Sequence, residues 1–414
     1  MIMADNNENK VLNVPHLRFP EFSGEWAYTS IGNECDILCG YAFDGQDILE
    51  NDGNVKLLRG INITEGEIRH SLDLDRYYSG DTHKLGKYVL QEGDLVIGMD
   101  GSKVGRNSAI LTKNEQGTYL VQRVCRIRSQ KQNIRFVYQH INNPKFHRYV
   151  DSVKTASAIP HISQSDIQNY HISFPPTSDE QNKIARLLSL IDERIVTQNK
   201  IIEKLQSLIK GLNDSLYKQY GNAITTSFSD FGYSYSGLSG KSADDFGSGK
   251  PFITYLNVYS NNIVDESDYQ YVRINEEEKQ NVVKYGDVLF TLSSETPEEV
   301  GVGSVYLGKE EVYLNSFCFG IHIENTRLAY SPYLSYYVAS TPFRKFIYPF
   351  AQGSTRFNLC KADFEKASIK LPSLDNQKHI YTVLSRITEK TETEKALLRH
   401  YTTQKQYLLR QIFI

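Results

Sequence analysis

Residues 178–219 read SDEQNKIARLLSLIDERIVTQNKIIEKLQSLIKGLNDSLYKQ, and their spacing decides how the chain is organised. Ser178, then Asp179 and Glu180, then Gln181 three residues on, form the pattern of a capping box: serine and glutamine side chains each serve the other's backbone N–H. Behind it Leu188, Ile195, Ile202, Ile209 and Leu216 recur every seventh residue, interleaved with Ile184, Ile191, Gln198, Leu205 and Leu212. Nine of these ten positions are apolar, and no proline interrupts them. A 3.5-residue repeat sustained that far predicts a helix ~60 Å long, whose stripe meets another helix along its length. Gln198, the one polar member, is placed to fix register at some cost in stability.

The partner lies in the same chain. Shifted by 196, the stripe recurs as Ile380, Leu384, Ile387, Thr391, Glu394, Leu398, Tyr401, Lys405, Leu408 and Ile412. An antiparallel coiled coil of the two helices would bring Gln198 and Glu394 together as a polar layer near the middle.

The shift reaches beyond the helices. Residues 57–63 (LLRGINI) answer to 252–258 (FITYLNV), Gly93-Asp94-Leu95-Val96 to Gly286-Asp287-Val288-Leu289, and Ile172-Ser173-Phe174-Pro175 to Ile369-Lys370-Leu371-Pro372. With offsets drifting only between 193 and 198, one ancestral unit is present twice. The expected fold is mixed α/β: two pseudo-twofold-related lobes, each followed by a long helix. Short apolar runs bounded by glycine and asparagine predict strands, and residues 132–150 and 332–340 predict helices. The expected divisions are a first lobe over 1–177 with an N-terminal arm at 1–27, a helix over 178–219, a second lobe over 220–372 and a second helix over 373–414. Residues 220–250, rich in Gly, Ser and Tyr, read as a soft linker.

Composition narrows the classes. A chain of 414 residues supports two or three domains, and a net charge of −3 gives no global sign of nucleic acid. Five scattered cysteines read as free thiols in a reducing compartment, with no zinc spacing. No apolar run approaches a membrane span, and Met1–Lys10 is unlike a signal peptide, so a cytoplasmic protein is expected. Nucleotide-binding, metalloprotease and serine-hydrolase motifs are missing, as is an Asn-Pro-Pro-aromatic methylase motif. The run Gly98-x-x-Gly101-x-x-x-Gly105 reads as a tight hairpin, and Glu276–Lys279 as a solvated helix face. No catalytic or metal-binding residues are assigned.

Local charge says more. Residues 118–155 carry eight basic side chains (Arg123, Arg126, Arg128, Lys131, Arg135, Lys145, Arg148, Lys154) against one acid, Asp151. Residues 341–370 carry six against Asp363 and Glu365. Such an excess is what phosphate binding requires. Loops after strands add side chains able to reach phosphates and base edges. The candidates in the first lobe are Arg59, Asn62, Ser102, Lys103, Arg106, Arg123, Thr155, Ser157 and His161. In the second they are Thr254, Asn257, Ser293, Ser294, Arg356 and Asn358. Framework residues agree between repeats while these loops differ, as expected of two readers with different targets.

Three segments resemble the specificity (S) subunits of type I restriction–modification enzymes: residues 15–26 (PHLRFPEFSGEW), Gly93–Val96, and the half-repeat signature from Ile172 through Glu180-Gln181 to Ile184. The second copy departs, with one proline at Pro372 and Asn376-Gln377 in place of Glu-Gln. The resemblance implies a DNA-recognition subunit without catalysis of its own, each lobe reading one half of a split double-stranded DNA target. It implies that the paired helices act as spacer and dock two methylation subunits, which restriction subunits join. S-adenosylmethionine, ATP and Mg²⁺ would then be held by those partners, none by this chain. A helix of ~60 Å spans roughly 17 base pairs at 3.4 Å each, so unread pairs would separate the half-sites. The rival reading is a coiled-coil scaffold whose lobes bind peptide or glycan.

Overall fold

The computed structural model describes residues 13–51 and 53–414, so Met1–Lys10 lies outside the described residues. The chain forms two compact units. One runs up to Thr197 and includes Leu397–Ile414; the other is Gln198–Ala396. The divisions run through both long helices.

In the first unit, β1 (Ala27–Ser30) pairs antiparallel with a strand just ahead of the long helix. A four-stranded antiparallel sheet has the order β2 (Asp36–Cys39), β5 (Val124–Arg128), β3 (Leu95–Gly98), β4 (Ser108–Ile110). Side chains alternate across a sheet, and here both faces are covered. Leu95 and Ile97 enter the main core with Ile127, while Val96 enters a second core with Leu58 and Leu120. Two helices, α1 (Ile134–Ile141) and α2 (Pro144–Val153), follow. Asn133 and Asn143 cap them, and Pro144 sits in the first turn of α2, where its missing N–H has no partner to lose. They bury Phe136, Val137, Ile141, Phe146 and Val150. Then come β6 (His171–Phe174), the partner of β1, and α3 (Ser178–Tyr220).

The start of α3 differs from the expected capping box. Thr177 precedes the helix, and its hydroxyl accepts the Glu180 N–H at 3.4 Å. Gln181 turns away: its side-chain oxygen accepts the Asn133 N–H (3.0 Å) and its amide donates to Gln132 (2.7 Å). The amide ties α3 to the start of α1, a tertiary use that local spacing cannot reveal.

The second unit repeats the topology. Here β7 (Ile224–Thr226) pairs with a strand at Ile369–Leu371. The sheet order is β8 (Gly232–Ser236), β12 (Cys318–Ile323), β9 (Val288–Thr291), β11 (Gly303–Val305). Between β9 and β11 lies the short β10 (Ser293–Ser294). Residues 220–250 are therefore not a linker: they supply β7 and β8, and Phe228 and Phe231 sit in the core at 0% and 1% exposure. At Gly232 the missing side chain serves close strand approach rather than looseness, since a Cβ there would meet the His322 carbonyl oxygen at 2.1 Å. One smaller expectation also changes: Glu276–Glu277 form a turn rather than a helix face. Tyr255–Ser260 form a short helix.

After α4 (Ser331–Tyr337) and α5 (Thr341–Ile347), a hairpin of β13 (Ala351–Gln352) and β14 (Phe357–Leu359) leads to β15 (Ile369–Leu371). The last element is α6 (Leu374–Ile412).

Each core is closed by both long helices. In the first unit Ile184, Ala185 and Leu188 of α3 pack with Leu409 and Ile412 of α6 and with Phe413. Asp192 pairs with Lys405 at 2.5 Å, and Arg194 reaches the Tyr401 hydroxyl at 3.3 Å, so the helices run antiparallel. In the second unit Ile209, Leu212 and Leu216 join Ile380 and Leu384. There the Gln198 amide donates to the Glu394 carboxylate and to its backbone oxygen (3.2 Å). Ile191 and Ile202 are buried, and Ile195, Leu205, Ile387, Leu398, Tyr401 and Leu408 are half-buried.

The repeated Gly-Asp pair makes the same turn in both units. Gly93 and Gly286 have φ of +87° and +90°, where only glycine is free of Cβ strain. Asp94 and Asp287 each accept the N–H three residues back, from Gln91 and Lys284, at 2.8 Å. Arg128 completes the first with two bonds of 2.6 and 2.7 Å. His322 (2.8 Å) and Tyr235 (2.7 Å) complete the second.

The N-terminal arm is held to the start of α3 by charge, with Glu21 paired to Lys183 and Arg18 to Glu180. Arg18 forks onto Glu180, 2.7 Å to each oxygen, and Trp26 Nε1 donates to the same carboxylate at 3.3 Å. The Glu180 side chain is 1% exposed. Loss of the guanidinium strands a buried carboxylate, so Arg18→Ala should cost about 3 kcal/mol, and Arg18→Ala/Glu180→Gln distinctly less. Urea unfolding followed by Trp26 fluorescence reads this directly, Trp26 being the chain's one tryptophan. Equal losses in both variants would place the stabilisation elsewhere.

Candidate nucleic-acid interface

In the first unit three loops are stapled together at the end of β3. Residues 99–107 leave the sheet through turns with Gly101 and Gly105 at φ +89° and +72°. This nine-residue excursion, not a tight hairpin, joins β3 to β4. Met99 N–H donates to Arg123 O (2.9 Å), Ile162 N–H to Met99 O (3.0 Å) and Gly101 N–H to Pro160 O (3.0 Å). Asp100 also forms a β-bridge with His161. Ser102, Lys103, Arg106, Arg123, Thr155, Ser157 and His161 thus share one loop cluster.

Their side chains differ in freedom. Ser102 is exposed, and Lys103 reaches Glu65 at 2.9 Å with most of its surface in solvent. Arg106 forks onto Asp151, the shorter bond 2.6 Å, and Lys154 adds a second pair at 2.7 Å. Hydrogen bonds from Arg106 and then Lys154 hold the Asp151 carboxyl down to about 2. Thr155 Oγ1 lies 3.0 Å from both His161 Nδ1 and Ser157 Oγ, and Ser157 donates to Ile159 O at 2.6 Å. Arg123 is exposed, and its side chain has no hydrogen bond or ion pair among the described residues. At φ +69° it is also their one non-glycine with positive φ. That backbone state costs an ordinary residue roughly 1–2 kcal/mol.

The second unit uses the same staples. Leu292 N–H donates to Phe317 O (2.9 Å), and Leu359 N–H to Leu292 O (2.8 Å). Phe317 therefore occupies the backbone place of Arg123. Ser293 pairs with Asn358 across β10 and β14, as Asp100 does with His161. The buried Ser293 hydroxyl accepts from Arg356 Nε and Nη2 (3.3 and 3.1 Å), and Ser294 donates to Glu299 (3.0 Å). The Arg356 guanidinium lies 5.6 Å from the centre of the Phe317 ring, which is 54% exposed. Asn358 is exposed beside it.

Two candidates are corrected outright. Asn62 and Asn257 are both 0% exposed. Asn62 accepts the Arg59 N–H (3.1 Å) and donates to Arg69 O (3.1 Å) and Asp75 (3.3 Å). Asn257 accepts the Asp265 N–H (2.9 Å) and donates to Asp265 O (2.9 Å) and Asp268 O (3.3 Å). With their amides consumed in holding loops, neither can reach a base. Thr254 caps the helix at Tyr255–Ser260, its hydroxyl accepting the Asn257 N–H at 3.1 Å. Arg59 lies half-buried at the first of these loops.

The cationic excess of residues 118–155 is also largely internal. Arg126 pairs with Asp36, Arg128 with Asp94, Lys131 with Glu34 and Lys154 with Asp151. Lys145 donates to the Phe413 carbonyl at 2.9 Å. Arg123, Arg135 and Arg148 remain exposed. Counting within one window missed acids supplied from residues 34–36 and 94. Phe317 was missed too, because an aromatic next to a strand reads as core; its alignment with Arg123 is the one signal that separates it.

Among the described residues no group of three or more His, Cys, Asp or Glu could hold a metal ion, and no helix is long and apolar enough to cross a membrane.

Comparison with known proteins points one way. The family described as "Type I restriction modification DNA specificity domain" matches residues 23–207 and 238–400. The specificity subunit of the type I restriction enzyme MjaVIII of Methanocaldococcus jannaschii is 26% identical over 129 residues, 31% of this chain; the match spans 29% of that relative's length. The crystal structure of a type I restriction–modification S subunit from M. genitalium aligns with a TM-score of 0.58 at 16% identity, covering 97% of this chain and 99% of that one. A chain from a structure concerned with complex assembly and conformational transition of the type I R-M system aligns at 0.54 and 15% identity, covering 93% and 96%. The fold, with its two lobes and two long helices, is that of these structures. The chain belongs to the family of type I restriction–modification DNA specificity domains and carries that domain twice.

Proposed function

We propose that this chain is the subunit that gives a type I restriction–modification complex its DNA target, with each lobe reading one half of a split sequence. The observation that carries this is the duplicated loop cluster. Backbone staples are the same in both units, while the side chains they present differ, Arg123 against Phe317 and His161 against Asn358. A shared frame with divergent tips suits two half-sites of different sequence on one duplex. In this reading the helix pair sets the gap between half-sites and docks two methylation subunits, which restriction subunits join. Exposed Leu190, Ile201 and Leu208 on α3 and Leu397 on α6 lie outside the seam and support helical docking. S-adenosylmethionine, ATP and Mg²⁺ belong to the partners, and the complex works in the cytoplasm on the host's own DNA. The lobes and the helices are then the functional divisions, at residues 1–177, 178–219, 220–372 and 373–414.

Methylome sequencing of a host carrying the chain should return a two-part motif with a fixed gap. A heptad inserted into α3 within 200–211, with a matched heptad in α6, adds roughly 10 Å and should lengthen that gap by about three base pairs at 3.4 Å each. An unchanged gap would end the spacer role.

Lys103, mostly in solvent, fits a phosphate contact. Lys103→Ala should weaken binding alike on all sequences and reduce the slope of log affinity against log salt by about 0.9. Fluorescence anisotropy across a salt series measures it, and an unchanged slope would place Lys103 off the DNA.

A further inference from the structure

Resting on the reading that each lobe contacts one half of a split DNA target, we propose that Phe317 is a base-contacting side chain of the second lobe, standing where Arg123 stands in the first. Exposure alone would mean little, since single exposed apolar residues are common. Three further observations carry the assignment.

The first is rigidity. Phe317 N–H donates to Asn315 Oδ1 (2.9 Å), its carbonyl accepts the Leu292 N–H (2.9 Å), and Cys318 N–H donates to Asn315 O (3.0 Å). The ring is offered to solvent from a fixed turn, so no loop entropy is lost when it meets a ligand. The second is its neighbour. Arg356 lies with its guanidinium 5.6 Å from the ring centre and is tethered by the buried Ser293 hydroxyl. The third is the repeat. The same backbone place in the first lobe holds Arg123 in a left-handed conformation, exposed and without a side-chain partner among the described residues.

An apolar ring beside a guanidinium fits one arrangement in the major groove. Thymine presents its C5-methyl group to apolar side chains, and guanine presents O6 and N7 to arginine. Phe317 packs on a thymine methyl and Arg356 takes the acceptor edge of the adjacent guanine. In the first lobe Arg123, with no aromatic at its place, takes an acceptor edge of its own. Exchange of one residue at this place changes which base a lobe accepts without disturbing the staples beneath.

The test is selection from a randomised duplex library by the full chain assembled with methylation subunits. Wild type should recover a two-part motif. Phe317→Ala should lose the preference for a thymine in one half and leave the other half intact, with affinity for the wild-type site down about tenfold. Arg123→Ala should erase a preference in the opposite half. Replacing the assigned thymine by deoxyuridine, which lacks the methyl, should weaken wild type but leave Phe317→Ala unaffected. With Phe317 more than half exposed, Phe317→Ala is expected to fold as wild type does, which its thermal unfolding checks. A full motif retained by Phe317→Ala, a lost preference at a base other than thymine, or an equal deoxyuridine effect on both proteins would overturn the assignment while leaving split recognition standing. A wild-type chain that recovers no motif would sink the lobe reading itself, and this assignment with it.

Discussion

Neither lobe can complete its main core without the apolar seam of the two long helices. Ile184 and Leu188 with Leu409, Ile412 and Phe413 close the first, while Ile380 and Leu384 with Ile209, Leu212 and Leu216 close the second. Each of these side chains removes an area from water worth roughly 1.5–3 kcal/mol when fully buried, so the pairing is a large share of what holds either unit together. It also explains why the compact units interrupt both helices instead of following the order of the chain. A duplicated segment in this fold is not a self-sufficient domain: each lobe borrows half of the helix that belongs, in sequence, to the other copy.

The seam is interrupted by Gln198, Thr391 and Glu394, all buried. An isolated polar group there would be costly, and each has a partner. Thr391 returns its hydroxyl to Ile387 O at 2.8 Å, and the Gln198 amide meets Glu394. Hydrogen bonds from Lys390 and then Gln198 hold the Glu394 carboxyl below its usual range, which keeps it charged. A slip of one heptad would place Gln198 opposite Ile387 or Tyr401 and leave the Glu394 carboxylate without its amide donor. Apolar layers alone tolerate such slips; this polar layer makes one register distinct.

The stripe was legible because its period is a local property, visible in one stretch of residues. What the sequence left hidden depends on partners far along the chain. Gln181 looked like half of a capping box and instead joins α3 to α1 through Asn133. Asn62 and Asn257 looked like base readers by residue type and are spent on backbone groups 7 to 11 residues away and nearer. The basic run at 118–155 looked like a phosphate-binding face, but Glu34, Asp36 and Asp94, from other parts of the chain, pair with it. Residues 220–250 looked loose by composition, yet Phe228 and Phe231 anchor them at the centre of a core. Composition reports solvent preference, and a tertiary partner can reverse it at any single residue.

The Gly-Asp pair that most plainly marks the repeat is itself a case of this separation. At both copies glycine takes a positive φ, and the aspartate accepts the N–H three residues back. Those two features define a tight turn into the central strand and need no other residue. The outer partner of the carboxylate has been free to change, from Arg128 in one copy to His322 with Tyr235 in the other, and burial now pushes the Asp287 carboxyl up from its ordinary range. The motif that betrays the ancestry is therefore architectural, at the opposite end of its strand from the loop cluster. On the proposed reading, the information about what each lobe binds sits at places such as 123 and 317, where the backbone is held by the same hydrogen bond and the residue is exposed. A frame built on backbone groups and one turn-forming pair leaves such tips free to diverge, because nothing in the core registers the change.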